Sequence, residues 1–523
     1  MAVLAGWITS EQVPLETIEQ VLTSMGNALE RAGGTPARSA QPGAGILSFS
    51  DTAYATRQND DPPLLDWTPE RRTLVYRRPV SGQHPLYYIE DWPAQGNLLF
   101  ASEIKALLAV GIPRRLRPAG LAALLRYGFL PAPWTLFEDI NIVPAGSHLR
   151  WQHTRLIISP PVAPSSEVTT PTRPDQIRDQ LQEIVSGLIP PHPQPIVGYT
   201  GGDTDSTLAL ALAAYASENT SQQPLTLTSF DYKQSRDIKR RAYLRDLSQH
   251  WQSQLLEVGG VDQPEFWHAT LYATETPCLD TRLLAWHQLL HTSALETGAR
   301  VAFCGLGGSS HLETAAQPPM SDPLSAYAQT QQEALAYDLF SYFTSDLREA
   351  IHGTEPWELT THARRLARLA EQLPHSEQRQ TYLDRHLRLP DGLVAPITKL
   401  AQQEHIALHS PYLHPHLLSS LSPMPARDIL AGVLPDGASP LLTNEQASLT
   451  LPCASLWQVE HSELLQSLLS VEALRATGLF DAQAVQQLLR QPPPPHISTS
   501  GRHPLVAIVT LQLWCQLYGV SWS

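Results

Sequence analysis

Pro195-Ile196-Val197-Gly198-Tyr199-Thr200-Gly201-Gly202-Asp203-Thr204-Asp205-Ser206-Thr207, continued by Leu208-Ala209-Leu210-Ala211-Leu212-Ala213-Ala214, is the stretch whose reading decides the fold. A short apolar run, a glycine pair and a leucine/alanine run predict a buried strand, a sharp turn, and a helix that begins at Asp205-Ser206-Thr207. Glycine lets the backbone turn tightly and approach a ligand. The first turn of a helix offers unpaired N–H groups and the positive end of its dipole. Together these features make a cradle for phosphate or pyrophosphate, with Asp205 placed to hold a magnesium ion. No Gly-Lys-Ser/Thr follows, so the loop is not of the Walker type. The plainer alternative is a strand–turn–helix unit capped by Asp205 or Ser206.

Outward from this stretch, short apolar runs at Leu225–Phe230 and Val301–Cys304 alternate with helical periodicity over Arg236–Trp251 and Thr281–Glu296. That alternation predicts a parallel sheet with helices on both faces. Beyond about residue 320 the pattern is mostly helical, with three-to-four spacing over Ser325–Arg348, Pro356–Gln372 and Ser462–Gln491. A proline run at Pro492–Pro495 then breaks the chain before a last apolar helix, Pro504–Tyr518. On the N-terminal side lie short β-type segments, Arg72–Arg77, Pro85–Ile89 and Leu98–Ala101, and two helices, Glu103–Ala109 and Pro118–Tyr127. Ser159–Pro174 has too few large apolar residues to join a core and reads as a linker. The expected division is 1–157, a linker at 158–175, and 176–523, in an α/β fold.

At 523 residues the chain has ample length for two or three cores. No apolar run approaches the ~18 residues of a membrane span. The start, Met1-Ala2-Val3-Leu4-Ala5-Gly6-Trp7, lacks the basic flank of a secretory signal. A net charge of -14 argues against nucleic acid and anionic membranes as partners. Cys278, Cys304, Cys453 and Cys515 form neither a metal spacing nor a disulfide framework, so a reducing cytoplasm is expected. Lysine is confined to Lys105, Lys233, Lys239 and Lys399.

Several pieces together carry a resemblance. Phe100-Ala101-Ser102-Glu103-Ile104-Lys105-Ala106-Leu107-Leu108, Leu125-Arg126-Tyr127-Gly128-Phe129-Leu130-Pro131, Thr135-Leu136-Phe137-Glu138-Asp139-Ile140, Val143-Pro144-Ala145-Gly146 and the earlier Val80–Tyr88 look like the amidotransferase-type half of the asparagine synthetase B family. The Gly201-Gly202 turn with Asp205-Ser206 is similar to that family's ATP-pyrophosphatase loop. Gly305-Leu306-Gly307-Gly308-Ser309-Ser310 resembles its second glycine-rich loop, and Ser410-Pro411-Tyr412-Leu413-His414-Pro415 its later Pro-Phe-Leu-Asp element. The pieces stand in the family's order across nearly the whole chain. The resemblance implies an N-terminal Ntn-type α/β sandwich, then an adenine-nucleotide α-hydrolase-like parallel-sheet domain with a helical C-terminal part. It also implies Mg-ATP as cofactor, adenylation of a carboxylate, release of pyrophosphate, and attack by an amine. Thr200, Gly201, Gly202, Asp205, Ser206, Thr207, Asp231, Gly305, Gly307 and Gly308 are the implied nucleotide-binding residues. Asp205, with Asp203, is the implied magnesium site, and Tyr382, in Tyr382-Leu383-Asp384-Arg385, is a candidate near the acceptor substrate.

Departures from the family choose among its members. Its glutaminase uses an N-terminal cysteine thiol; here position 2 is Ala2 and the first cysteine is Cys278. β-Lactam synthetases and lasso-peptide cyclases also lack that cysteine, which suits closure by an amine of the substrate itself. The chain length, the last apolar helix and Leu479-Phe480-Asp481 look more like the lasso cyclases, implying a precursor peptide and its processing protein as partners. Other departures touch the synthetase chemistry. The first loop has one residue too many, which puts the Asp203 carboxylate where pyrophosphate should lie or beside Asp205 on a metal. Ser309 stands for a magnesium-binding Asp, and His414 for the Asp of the later element. Where an Arg-x-x-Lys is expected, the chain reads Leu442-Thr443-Asn444-Glu445-Gln446, and no lysine follows Lys399. Loss of such an electrostatic donor costs on the order of a hundredfold in rate.

Remaining candidates have plain readings. His405 and His409 are expected one helical turn apart, with His414 and His416 nearby, but without the carboxylate of a His-Glu-x-x-His zinc motif. Ser309 lacks the flanking pattern of a nucleophile elbow. Arg236, Lys239, Arg240, Arg241 and Arg245 form a basic helical face, solvated or in contact with phosphate or peptide. Two functions stand: an AMP-forming amide ligase, and a catalytically silent relative that binds a peptide or a partner.

Overall fold

The computed structural model describes residues 2–29, 36–50, 64–160, 173–220, 225–231, 235–259, 264–310, 322–335, 337–419, 429, 463–491 and 503–522. Alternating apolar residues build an N-terminal pair of antiparallel sheets. One holds β1 (Ala2–Ile8), β2 (Pro36–Gln41), β3 (Ala44–Ser50), β6 (Tyr87–Glu90), β7 (Leu98–Ala101) and β8 (Asn141–Ile142), in the order β2-β3-β1-β7-β6-β8. The other holds β4 (Leu64–Thr68), β5 (Thr73–Arg77), β9 (His148–Gln152) and β10 (Arg155–Ser159), in the order β10-β9-β5-β4. Side chains on a strand alternate between faces. Leu4, Ile8, Tyr88, Leu98 and Phe100 from the first sheet accordingly share a core with Leu74, Tyr76, Leu149 and Trp151 from the second. The opposite face of the first sheet carries Val3, Ala5, Trp7 and Leu99, covered by Ile18, Leu22 and Met25 of helix Leu15–Ala28 and by helix Ile104–Leu108. The result is a helix–sheet–sheet sandwich, as expected for an Ntn-type domain.

The later sheet is parallel throughout. β11 (Ile196–Tyr199), β12 (Thr226–Asp231), β13 (Leu255–Gly259), β14 (Val301–Cys304) and β15 (Ala407–His409) lie in the order β13-β12-β11-β14-β15. Buried parallel strands read as continuous apolar runs because helices cover both faces. Val301 and Phe303 pack with helices Pro174–Leu188, Thr204–Thr220 and Ser235–His250. Ala302 and Cys304 face helices Arg282–Thr297 and Ala395–Gln403. Helix Thr204–Thr220 is buried along Leu208–Ala214, which explains its lack of a polar face.

The helical C-terminal part differs in detail from the sequence reading. Ser325–Arg348 is not one helix: Pro323–Leu335 and Ser345–His352 are separated by a 3-10 turn at Phe340–Tyr342. The break has a tertiary cause, since Phe343 stacks on Phe480 at 5.2 Å and the Thr344 hydroxyl donates to the Gly478 carbonyl at 3.0 Å. Pro356–Gln372 shortens to Thr361–Glu371, capped by Thr360, whose side chain accepts from the Ala363 amide. Ser462–Gln491 divides into Glu463–Leu468, Val471–Thr477 and Ala482–Leu489, the last two starting at the side-chain caps Ser470 and Asp481. Pro504–Tyr518 is one helix, buried from Leu505 to Cys515. Its Trp514 lies 5.0 Å from Phe137, so it reaches the N-terminal part. Among the described residues no helix is long and apolar enough to cross a membrane.

Candidate functional site

The strand order reverses between β11 and β14, where consecutive crossovers leave on opposite faces of the sheet. In open α/β sheets a crevice opens at that point, beyond the carboxyl ends of the strands. Both glycine-rich loops lie there, Thr200–Asp203 after β11 and Gly305–Gly308 after β14.

The first loop closes on itself through a directed chain of hydrogen bonds. Gly202, at φ +80°, donates its N–H to Thr200 Oγ1 at 2.9 Å. Thr200 Oγ1 lies 2.8 Å from Ser206 Oγ. The Ser206 hydroxyl donates to Asp203 Oδ2 at 2.8 Å, and its N–H donates to Asp203 Oδ1 at 2.8 Å. A carboxylate only accepts, so the Ser206 proton goes to Asp203 and the Thr200 proton to Ser206. Asp203 is therefore the cap of a helix that starts at Thr204, one residue before the expected Asp205. The cap was expected at Asp205 or Ser206; Asp203 takes it because its side chain reaches the amide three residues on. Thr207 makes an ordinary helical bond from its N–H to the Asp203 carbonyl at 3.0 Å.

The second loop presses on this helix start. A Cβ on Gly305 would stand 2.5 Å from the Ser206 nitrogen, and one on Gly308 would stand 2.6 Å from Asp205 Cβ and 2.9 Å from its Oδ2. Neither position has room for a side chain. A third segment ties the two loops together. The Tyr412 hydroxyl donates to the Asp205 carbonyl at 2.9 Å, and the Ser410 hydroxyl donates to the Leu306 carbonyl at 2.7 Å. Asp205 is thus enclosed, 8% exposed, and its Oδ1 has no hydrogen-bond partner. Burial first, and the Asp203 charge second, push its carboxyl up to about 8. On neighbouring β12 the buried hydroxyls of Thr228 and Ser229 also lack partners. Arg240 and Tyr243 stand over Gly202, where an added Cβ would meet them at 3.3 and 3.7 Å.

The structure brings Thr200, Gly201, Gly202, Asp203, Asp205, Ser206, Thr207, Gly305, Gly307 and Gly308 together at this crevice. Asp231 ends β12, and its side chain lies outside the described residues, as do Leu442–Gln446, Cys453 and residues 161–172 of the linker. Tyr382 belongs to a different core, with Tyr127 and Trp357, although its helix Ser376–His386 lies alongside the Gly308–Ser310 turn. Its hydroxyl is buried without a partner, and burial raises its pKa. His405 and His409 are not a helical turn apart: His405 sits at φ +54° and His409 ends β15. The intervening segment is a strand rather than a helix because Ala407 and His409 pair with Val301 and Phe303. Among the described residues no three His, Cys, Asp or Glu side chains converge on a possible metal position. Of the basic face, Arg241 forms a two-pronged pair with Glu257 at 2.7 and 2.9 Å.

Residues that sequence reasoning missed are Thr228, Ser229 and Tyr243; Tyr412 was noted only as part of its motif. Hydroxyl residues on a strand or helix give no spacing signal of their own. As a test of fit, a buried carboxylate with an open oxygen calls for a hard cation, which reverses the cost of its burial. Asp205 fits a magnesium ion in this sense. The phosphate donors fit less well, because Asp203 holds two of them.

A family model for a glutamine amidotransferase domain matches residues 64–160. The match runs from β4 to β10 and fits an asparagine synthetase-like architecture, an N-terminal sandwich followed by a parallel-sheet part. No curated protein matches the chain.

Proposed function

We propose that this chain is an asparagine synthetase-like, ATP-dependent amide ligase that releases AMP and pyrophosphate and closes a macrolactam on a peptide. The observation that carries the reading is the enclosed Asp205 carboxylate, with one oxygen unpartnered, at a helix start where the parallel strand order reverses. Asp205 would hold magnesium, Gly201, Gly202, Ser206 and Thr207 the pyrophosphate, and Gly305, Gly307 and Gly308 would line the nucleotide pocket. A metal there supplies charge neutralisation to the departing pyrophosphate. Gly305 and Gly308 leave the Asp205 backbone and side chain space that a Cβ at either position would take. The amine comes from the peptide, since no cysteine stands before Cys278, and burial raises the pKa of Cys278, Cys304 and Cys515.

ATP–pyrophosphate exchange with magnesium and a candidate precursor peptide tests the proposal. Asp205→Asn is expected to lower the exchange rate by about 10²–10³-fold, the size typical of losing a preorganised electrostatic group. Absence of exchange, together with absence of any rise in melting temperature with ATP, would sink the ligase reading. A silent, peptide-binding relative is the second reading. It is favoured by the Asp203 carboxylate resting on Ser206, by Ser309, and by the lack of lysine after Lys399. Peptide binding without exchange would select it.

A further inference from the structure

The Ser206 N–H and hydroxyl are first-turn donors of the kind a polyphosphate uses, and both are spent on the chain's own carboxylate. We propose that Asp203 is a specificity-determining residue: it makes the loop crevice accept polyphosphate as a divalent-metal chelate and reject the free anion. The proposal rests on the nucleotide reading of this crevice. A bare anion must displace the carboxylate from two donors and then remain beside its negative charge, which repels it. Asp205 lies two residues on, and its buried Oδ1 has no donor.

The two carboxylates are not equivalent. Asp205 is buried, in space that a Cβ on Gly308 would take. Asp203 is partly exposed on the turn and is the one able to leave Ser206. A divalent cation bound with the phosphates would be held by Asp205 and would supply charge neutralisation; Asp203 could then leave the helix start without repelling the anion, and the Ser206 N–H and hydroxyl would be open to phosphate oxygen.

The test is isothermal titration of the full chain with inorganic pyrophosphate, in excess magnesium or in EDTA, for wild type, Asp203→Asn and Asp203→Gly. Asn keeps a cap acceptor and removes the charge, whereas Gly frees the donors at a small capping cost. Wild type is expected to prefer the magnesium form by at least 100-fold. Both variants are expected to raise the affinity for free pyrophosphate by tenfold or more, about 1.4 kcal/mol. The magnesium form should change by less than threefold. If Asp203→Gly does not fold by circular dichroism, Asp203→Asn decides alone. Unchanged affinity for free pyrophosphate in the folded variants overturns the role of Asp203 and leaves the nucleotide site standing. If none of the three proteins binds pyrophosphate or ATP, with or without magnesium, the nucleotide reading and this proposal fall together.

Discussion

At the scale of single residues, the crevice is set by what cannot be enlarged. Gly308 abuts the Asp205 side chain so closely that one methyl group would overlap it. Overpacking of this kind typically costs 1–3 kcal/mol when the neighbour cannot move. Gly308→Ala is therefore expected to destabilise the chain by about 2 kcal/mol in urea. It should also abolish the ATP-induced rise in melting temperature. A folded Gly308→Ala protein that keeps that rise would show that Asp205 need not be held in place. Tyr412 bears on the same carboxylate from behind, through the Asp205 carbonyl rather than the side chain. Only the fold reveals this role, since the motif shows a tyrosine and not the direction of its hydroxyl.

At the scale of elements, the strands beside the glycine loops were legible, whereas Ala2–Ile8, Ala44–Ser50, Leu255–Gly259 and Ala407–His409 were not read as strands. Ile196–Tyr199 and Val301–Cys304 are short apolar runs beside glycine loops, and both are buried strands. The long helical stretches were less legible because contacts far along the chain interrupt them, as Phe480 does at Phe343. In the first loop, two carboxylates separated by one residue look alike in sequence. A single amide, that of Ser206, decides which one caps and which one is left open. The last helix shows a cap with a pH dependence. His503 Nδ1 accepts the Leu505 N–H at 3.1 Å, and burial lowers the His503 pKa to about 4. The unfolded chain takes up this proton near pH 6.5, the folded one only near pH 4, so stability present above pH 6.5 is lost as pH falls through that window. The group is half-buried and screened, so the loss is set at about 1 kcal/mol. Thermal melts should show a shallower decline from pH 6.5 to 4 in His503→Asn than in wild type; parallel declines would remove the cap from the account.

At the scale of the whole molecule, the sandwich and the parallel-sheet part meet around buried ions. Lys399, from helix Ala395–Gln403, pairs with the fully buried Glu275 and donates to the Tyr87 hydroxyl of β6 at 3.2 Å. Glu275 also accepts the Lys105 N–H at 2.8 Å. Arg78 and Asp391 make a second such link at 2.9 Å, and Asp391 accepts the Ala132 N–H at 3.0 Å. Removing one partner of a buried pair leaves the other uncompensated, at about 3–5 kcal/mol. Lys105 Nζ stays 3.9 Å from Glu275 and compensates in part, so Lys399→Met is expected to cost toward the low end of that range in denaturant unfolding, and Glu275→Gln in the same chain should restore part of it. Losses that simply add would show that the pair is not coupled. The Trp514–Phe137 contact has a different kind of consequence. A ribosome adding roughly 5–20 residues per second needs roughly 20–75 s to go from one ring to the other. The last sandwich strand ends at Ser159, so for most of that interval all the sandwich strands are made while Trp514 is still missing from Phe137. The last-made helix, Pro504–Tyr518, is therefore the element that completes the packing around Phe137.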